Sequence, residues 1–207
     1  MQKIVIVDYE LGNINNIFRA FRHFKVDVKV SHKKEEIAFA DKLILPGVGA
    51  FSKAMADLRK KDLIDPIKEY AKSGKHLMGI CLGLQLLFAK SHEFGLHDGL
   101  ALVEGEVVKL GKEKGFKVPF MGWSELLKGE QTWEGTILEG FAEKTFAYFV
   151  HSFYVVPKRI ENILSYTQYG HYKFCSSIRS GNLHGIQFHP ELSGKAGLKI
   201  IENFINL

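Results

Sequence analysis

One cysteine of the chain, Cys81, has the neighbours of a catalytic nucleophile. It stands between Gly79 and Gly83 in the pattern Gly-x-Cys-x-Gly, after an apolar run of strand length and before a run of helix-forming residues. A nucleophile on a sharp strand-to-helix turn has a strained backbone, and a side chain at either flanking glycine would collide there. The helix N-terminus favours the thiolate, and the amide of Leu82 can donate to an oxyanion. The pattern predicts nucleophilic chemistry at Cys81, whereas Cys175 lacks these neighbours and is expected to be a core thiol.

A base and an acid for this nucleophile stand near the end of the chain. His189 follows an apolar strand-like run, and Pro190 ends that run. Glu191 comes two positions after the histidine, and in extended backbone two such residues face the same way, so its carboxylate can orient the imidazole. Cys81 and His189 are 108 positions apart (189 − 81), so the fold must bring them together. The His-Pro-Glu sequence by itself also fits an ordinary surface turn; paired with Cys81 it predicts a Cys-His-Glu arrangement.

The elements that must position these residues alternate in the first half of the chain. Apolar runs and helical periodicity predict strands at 4–7, 26–30, 42–45 and 76–80, and helices at 13–24, 50–61, 65–74 and 82–90. Asp65 is the predicted N-cap of the third helix, with Pro66 at its first position. Such alternation predicts an α/β fold with a doubly wound, mostly parallel sheet and helices on both faces.

The second half of the chain is strand-rich. Strands are predicted at 101–110, 145–156, 163–168, 173–178 and 183–188, a hairpin turn at 180–182, and an amphipathic helix at 194–207. We expect an antiparallel, β-rich extension of the same sheet, within one domain that spans residues 1–207. Because ligands bind at the carboxyl ends of parallel strands, Cys81 and His189 are predicted to meet at that edge.

Composition excludes several classes of protein. The formal net charge is +5, with 28 Lys and Arg against 23 Asp and Glu. The sequence has no basic stripe interleaved with aromatic residues, so nucleic-acid binding is not predicted. No apolar run reaches the ~18 residues of a membrane span, and no signal peptide begins the sequence, so a cytoplasmic protein is expected. Two cysteines do not make a disulfide scaffold. The histidines show no ligand spacing, so neither a metal nor a cofactor is expected.

Several motifs resemble one family of enzymes. Residues 79–85 (GICLGLQ) resemble the nucleophile motif of class I glutamine amidotransferases, and His189-Pro190-Glu191 resembles the rest of their Cys-His-Glu triad. Four further segments resemble the glutaminase subunit of imidazole glycerol phosphate synthase: 8–13 (its N-terminal signature), 46–51 (its oxyanion strand), 148–153 (its glutamine-side strand) and 122–123 (its contact with the cyclase). The resemblance runs from residue 8 to residue 191.

The resemblance implies a reaction. Cys81 would attack the side-chain amide of glutamine and form a thioester. His189 would protonate the departing ammonia and then activate water, while Glu191 orients the imidazole. Glutamine would be held by Gly49, Gln85, His151 and Ser152, and the oxyanion by the Leu82 amide and the Val48–Gly49 peptide. That peptide would flip to do so, and the two glycines beside Val48 make a flip inexpensive.

The resemblance also implies a partner. With 207 residues there is no room for a synthetase domain, so we expect another chain to use the ammonia. That chain would be a (β/α)₈-barrel cyclase in a heterodimer, contacted through Met121 and Trp123. Three residues depart from the family pattern, Glu10, Ser124 and Leu192, and they bear on the partner rather than on the triad.

Other interpretations stay open at this point. A paralogue that supplies ammonia for surface-sugar modification would share these motifs and fit the departures. A stand-alone cysteine hydrolase would lack the glutamine-holding set, and a non-catalytic family member would have no need of an intact triad. Gln85 also fits an exposed helical position, His151 a hydrogen-bonded sheet histidine, and Trp123 the core.

Overall fold

A sheet of twelve strands runs through the computed structural model, which describes residues 2–111, 117–142 and 144–207. The strands of the molecule are β1 Lys3–Val7, β2 Asp27–Ser31, β3 Lys42–Leu45, β4 Leu77–Ile80, β5 Phe88–Ser91, β6 His97–Asp98, β7 Val103–Lys109, β8 Phe120–Glu125, β9 Leu127–Lys128, β10 Phe146–His151, β11 Phe153–Pro157, β12 Ile163–Tyr169, β13 Tyr172–Ser180 and β14 Leu183–Ile186. The helices are α1 Ile14–Arg22, α2 Lys34–Ala38, α3 Phe51–Lys60, α4 Ile64–Lys72, α5 Leu82–Leu86 and α6 Gly194–Asn206, with 3₁₀ turns at Ile160–Asn162 and Pro190–Leu192.

The order of the strands explains how distant residues meet. The large sheet runs β2-β1-β3-β4-β14-β13-β11-β7-β5-β6, with β12 on β13 and β9 on β12. The first five strands of this order are parallel, and β13 and β11 continue the sheet in antiparallel fashion. The predicted α/β class with its antiparallel extension is confirmed. Because β14 lies beside β4 in parallel, the residues that follow the two strands emerge at the same edge.

Helices cover both faces of the parallel strands. Along β1, Ile4 and Ile6 belong to the buried core that includes α1 and α6. Val5 and Val7 belong to the opposite core, which includes α2, α3 and α4. Successive side chains of a strand point to opposite faces, so a strand buried on both sides reads as a continuous apolar run.

The predicted helix at 82–90 is wrong in its second half. Helix α5 ends at Leu86, and Phe88–Ser91 forms β5, which pairs with β7 in the sheet. Both halves of this segment are apolar, and periodicity does not separate a short buried helix from a short buried strand.

The predicted single strand at 145–156 is two strands in different sheets. Phe146–His151 pairs with β8 in a separate two-stranded sheet, whereas Phe153–Pro157 pairs with β7 and β13 in the large sheet. The chain changes sheet at Ser152, whose carbonyl oxygen accepts a hydrogen bond from the Leu110 amide at 2.8 Å. The sequence pattern missed this break because neither glycine nor proline marks it.

Smaller differences occur at element ends. Helix α4 begins at Ile64 with Leu63 as its N-cap, so Asp65 and Pro66 lie within its first turn and the predicted cap is wrong. Leu63 is fully buried and its amide donates to the carbonyl oxygen of Leu58, so the N-cap lies two residues earlier than predicted. Pro66 is tolerated because the first helical N–H groups have no partner within the helix. Strand β8 and the five-residue helix α2 were not predicted.

Candidate active site

Cys81 occupies a strained turn between β4 and α5. Its backbone has φ +54° and ψ −112°, in a region that side-chain-bearing residues seldom adopt. A Cβ atom added to Gly79 would lie 2.7 Å from the carbonyl carbon of Gly83, and one added to Gly83 would lie 1.8 Å from the carbonyl oxygen of Leu45. Both collisions are with backbone, which cannot move aside cheaply. The two glycines are therefore required by close packing around Cys81.

Cys81 contacts the end of β14, the adjoining Gln187 and strand β10. The Cys81 amide donates to the carbonyl oxygen of Ile186 at 2.8 Å, which ties the turn to β14. The side-chain amide of Gln187 donates to the sulfur at 3.6 Å, and the carbonyl oxygen of Val150 lies 4.0 Å from it. The thiol is 6% exposed, so it reacts only with a molecule that enters the adjoining cavity.

His189 lies beside Cys81 and is fixed through its backbone and its ring. Its amide donates to the carbonyl oxygen of Tyr148 at 2.9 Å, and its own carbonyl accepts from the Ser193 hydroxyl at 2.7 Å. Ring nitrogen Nδ1 is 2.8 Å from Oε1 of the buried Glu191. Glu191 lies in a 3₁₀ turn rather than in the extended backbone assumed from the sequence. The carboxylate reaches the ring all the same, and Asn13 donates a longer hydrogen bond of 3.5 Å to the same oxygen.

The electrostatics favour a charged His189. Burial lowers its pKa, but the interactions with Cys81 and Glu191 prevail and raise that pKa from its ordinary value of 6.5 to about 10. Nε2 makes no well-formed hydrogen bond within the described part of the chain, yet it lies close enough to the sulfur for the charges to interact. At neutral pH His189 is therefore an imidazolium beside the sulfur of Cys81.

This coupling predicts a titration that depends on Cys81. We expect the His189 ring to titrate well above 6.5 in the wild type and at a lower pH in Cys81→Ala, because the interaction with Cys81 that raises the His189 pKa is gone. The raised pKa stabilises the folded state fully below about 6.5, and this contribution is lost as pH rises through about 10. Ring-labelled histidine NMR measures it, with His184, whose pKa burial lowers to about 3, as an internal control. Identical His189 titrations in the two proteins would refute the coupling.

One cavity of about 390 Å³ collects the predicted site residues. Cys81 and His189 open onto it, and so do all the residues predicted to hold glutamine or the oxyanion: Val48, Gly49, Leu82, Gln85, His151 and Ser152. Four residues without a predicted role complete its wall: Glu93, Pro119, Val150 and Phe153. A larger cavity of about 740 Å³ beside Trp133 is lined by neither cysteine nor histidine. The smaller cavity is therefore the candidate active site.

The segment predicted to supply the oxyanion hole is anchored at one end and open at the other. The buried Tyr9 hydroxyl donates to the carbonyl oxygen of Pro46 at 2.5 Å. Burial, followed by the charges of Cys81 and Asp57, raises the pKa of Tyr9, so the phenol keeps its proton. At the other end Gly49 has φ +95°, and a Cβ atom there would meet no other atom within 4 Å. Space for a backbone rearrangement therefore lies at Gly49, in the cavity that Cys81 also lines.

Gln85 and His151 share one anchor, the carbonyl oxygen of Phe153. Gln85 Nε2 and His151 Nδ1 each lie 2.9 Å from it. The carbonyl can only accept, so it fixes the orientation of the amide and the tautomer of the ring. Burial lowers the pKa of His151 to about 3, so the ring is neutral. Gln85 is 5% exposed, which excludes the exposed helical position considered from the sequence.

Glu93 is a site residue that the sequence did not reveal. It is 9% exposed, lines the cavity and accepts a hydrogen bond from the Phe51 amide at 2.5 Å. No sequence spacing links Glu93 to Cys81. Glu93 reaches the cavity because the preceding strand, β5, pairs with β7 in the sheet. Gln187 was likewise missed as a contact of the sulfur, although it stands two residues before His189.

The two residues predicted at a partner interface lie outside the cavity, on the solvent face of β8. Met121 is 63% exposed and Trp123 is 55% exposed, which excludes the core position considered for the tryptophan. Trp123 contacts the ring of Tyr148 edge to face, with centroids 5.9 Å apart. Leu192, one of the departures from the family pattern, is 39% exposed.

The other two departures have local contacts. Glu10 adopts φ +74°, and its carboxylate lies 3.1 Å from the Lys61 amine. Ser124 donates from its hydroxyl to the carbonyl oxygen of Gln168 at 3.0 Å. Neither residue reaches the cavity. Among the described helices, none has the length and apolar character needed to cross a membrane.

Fold and site together define an α/β protein with a buried cysteine beside a histidine–glutamate pair at the carboxyl edge of its parallel sheet. The family model for class-I glutamine amidotransferases matches residues 5–207, so the chain belongs to that family. Imidazole glycerol phosphate synthase subunit HisH 1 of Legionella pneumophila (strain Lens) is 42% identical over 214 residues, covering all of both chains. The HisH subunit of Moorella thermoacetica is 45% identical, covering 99% of this chain and 94% of that protein. The resemblance predicted from the motifs is confirmed.

Solved structures agree on the fold. The structure of PurLQS from Thermotoga maritima has a TM-score of 0.75 at 19% identity, covering 99% of this chain and 98% of that one. The glutaminase domain of CTPS from Trypanosoma brucei has a TM-score of 0.62 at 12% identity, covering 100% of this chain and 94% of that one. At such identities the likeness concerns the architecture alone.

Proposed function

We propose that the chain is the glutaminase subunit of imidazole glycerol phosphate synthase, acting in the cytoplasm as a single domain. It hydrolyses glutamine to glutamate and ammonia and passes the ammonia to a (β/α)₈-barrel cyclase, which makes imidazole glycerol phosphate and AICAR in histidine biosynthesis. The observation that carries the proposal is the meeting of Cys81, His189 and Glu191 beside one cavity. The names of the relatives, at 42–45% identity over nearly whole chains, support the pathway.

The chemistry begins with the thiolate–imidazolium pair. The Cys81 sulfur attacks the carbonyl carbon of the glutamine amide, and the developing oxyanion accepts hydrogen bonds from Leu82 and from the Val48–Gly49 peptide after its flip. His189 then gives the Nε2 proton to the leaving nitrogen, so that ammonia departs and a thioester remains. Neutral His189 next takes a proton from water, which attacks the thioester and releases glutamate. Glu191 holds the ring on Nδ1 through both steps.

The cavity suits the polar ends of glutamine. Glu93 brings a carboxylate that can pair with the α-ammonium group. Both N–H groups of Gln85 are used, one on Phe153 and one on Gln187, so its carbonyl oxygen is the atom left to accept from the substrate. His151 presents Nε2 as a second acceptor, which has no partner among the described residues. We therefore propose that recognition relies on acceptors directed at the N–H groups of glutamine.

The exposed face of β8 and β10 supports a cyclase interface. We expect the isolated chain to hydrolyse glutamine slowly and the partnered chain to do so rapidly. Trp123→Ala is expected to weaken binding of the cyclase by at least about 30-fold, because a buried aromatic anchor contributes about 2 kcal/mol or more. Binding is measured by calorimetry and glutamate release by a coupled assay.

Phe39→Ala is the matched control for this experiment. Phe39 is an equally aromatic and 75% exposed side chain beside α2, remote in sequence from β8 and β10. It should leave both binding and glutamate release unchanged. Full-rate glutamine hydrolysis by the isolated chain, or unaltered cyclase binding by the tryptophan variant, would count against the proposed subunit role.

A further inference from the structure

We propose that Gln187 stabilises the Cys81 thiolate by donating a side-chain hydrogen bond to it, an inference that rests on the proposed role of Cys81 as nucleophile. Gln187 lies between β14 and His189 and is fully buried. Its Nε2 atom is 3.6 Å from the Cys81 sulfur, within the range of an N–H···S hydrogen bond. Its backbone amide donates to the carbonyl oxygen of Ser176 at 2.9 Å, so its position does not depend on the sulfur.

The orientation of the Gln187 amide follows from its neighbours. The carbonyl oxygen of Phe153 can only accept, so the NH₂ group of Gln85 must face it, at 2.9 Å. The second N–H of Gln85 then meets Oε1 of Gln187 at 3.1 Å. With its oxygen engaged by a donor, Gln187 turns its own NH₂ group towards Cys81. The Phe153 carbonyl oxygen, which can only accept, therefore fixes the orientation of the Gln85 amide, and Gln85 in turn fixes that of Gln187. The NH₂ group of Gln187 is left to donate to Cys81.

A negative charge on the Cys81 sulfur needs a hydrogen-bond donor, and Gln187 supplies one. Cys81 is 6% exposed, so a thiolate at this position would receive little stabilisation from water. Among the described residues, the Val150 carbonyl oxygen at 4.0 Å is an acceptor and cannot stabilise an anion. The Tyr9 hydroxyl, which also interacts with Cys81, donates its hydrogen to the Pro46 carbonyl oxygen instead.

In the proposed reaction His189 transfers its Nε2 proton to the leaving nitrogen and becomes neutral. The side-chain amide of Gln187 does not ionise, so it can donate a hydrogen bond before and after that transfer. A neutral donor also supports the anion without competing with the imidazolium for it.

The test is the pH dependence of Cys81 alkylation by iodoacetamide in the free full-length chain, with the modified residue located by peptide mass mapping. Gln187→Glu replaces the donor by a carboxylate of the same shape, and Gln187→Met removes the N–H donor together with the oxygen that accepts from Gln85, without adding a charge. For Gln187→Glu we expect the midpoint of the pH–rate profile to rise by about one pH unit and the rate at pH 7 to fall about tenfold, because like charges disfavour the thiolate. Gln187→Met should shift the midpoint in the same direction by less.

Two controls test whether Gln187 acts through its hydrogen bond to Cys81 or only by filling space. Gln168→Glu makes the same exchange at an exposed position on β12 and should leave the profile unchanged. Circular dichroism reports whether each variant is folded, and if Gln187→Glu is not, Gln187→Met decides the question. Wild-type midpoints in the folded Gln187 variants would overturn the inference.

The same experiment distinguishes this inference from the proposed function. Alkylation requires neither glutamine turnover nor a cyclase. If the midpoint shifts in the Gln187 variants but the wild-type chain never releases glutamate, Gln187 is a donor to Cys81 and the glutaminase role is refuted. An unmoved midpoint in a chain that does release glutamate would refute the donor role alone.

Discussion

Replacing Cys81 with alanine is expected to lower glutamate release by the partnered chain by at least ~10³-fold, the usual consequence of removing a covalent nucleophile. The cavity, the oxyanion donors and the acceptors that face glutamine all remain in this variant, so substrate binding should survive. The loss should therefore appear in kcat, with KM changed little. Steady-state assays of glutamate release with saturating cyclase measure both constants.

Cys175→Ala is the matched control. Cys175 lies buried in β13, where burial raises the pKa of its thiol, and its sulfur donates to the carbonyl oxygen of Ser177. It does not line the cavity, so its removal should leave kcat within a few-fold of the wild type. Glutamate release by Cys81→Ala at a rate near that of Cys175→Ala would contradict the assignment of the nucleophile.

Replacing Gly83 with alanine is expected to lower the free energy of unfolding by about 3 kcal/mol or more and to abolish activity. The added Cβ atom would lie 1.8 Å from the Leu45 carbonyl oxygen and 2.7 Å from its carbon. Relief requires α5 to move away from β3, which also displaces the Cys81 turn. Urea denaturation followed by circular dichroism measures the change in stability.

Gly181→Ala separates this collision from ordinary backbone strain. Gly181 has φ +61° in the hairpin between β13 and β14, and a Cβ atom there would meet no other atom within 4 Å. Its replacement should cost only about 1 kcal/mol, the penalty of a left-handed backbone for a residue with a side chain. Equal losses at the two positions would show that close packing of the turn is not what requires Gly83.

The nucleophile turn and the parallel strands could be predicted because their determinants are local. The apolar run 42–45 coincides with β3, and Gly79 and Gly83 flank Cys81 for a steric reason visible in the sequence pattern. The pairing of β14 with β4 was not visible there. The sequence predicted only that Cys81 and His189 meet at the carboxyl edge of the sheet, and the parallel pairing of β14 with β4 brings them there.

The features that escaped prediction depend on contacts between distant residues. Ser152 marks a change of sheet because β10 pairs with β8, a strand that the sequence did not reveal. Glu93 reaches the cavity only because the chain after Leu86 becomes a strand. Gln187 carries no signal of its own, since its role depends on where Gln85 and Phe153 lie in space.

The central claim is that Cys81 is a nucleophile placed to attack a bound glutamine. Labelling of the wild-type chain with a chloromethyl ketone analogue of glutamine, followed by peptide mapping, tests it most directly. We predict one label per chain, on Cys81, at a rate that added glutamine lowers. Labelling at another residue, or labelling of Cys81 that glutamine does not slow, would contradict it.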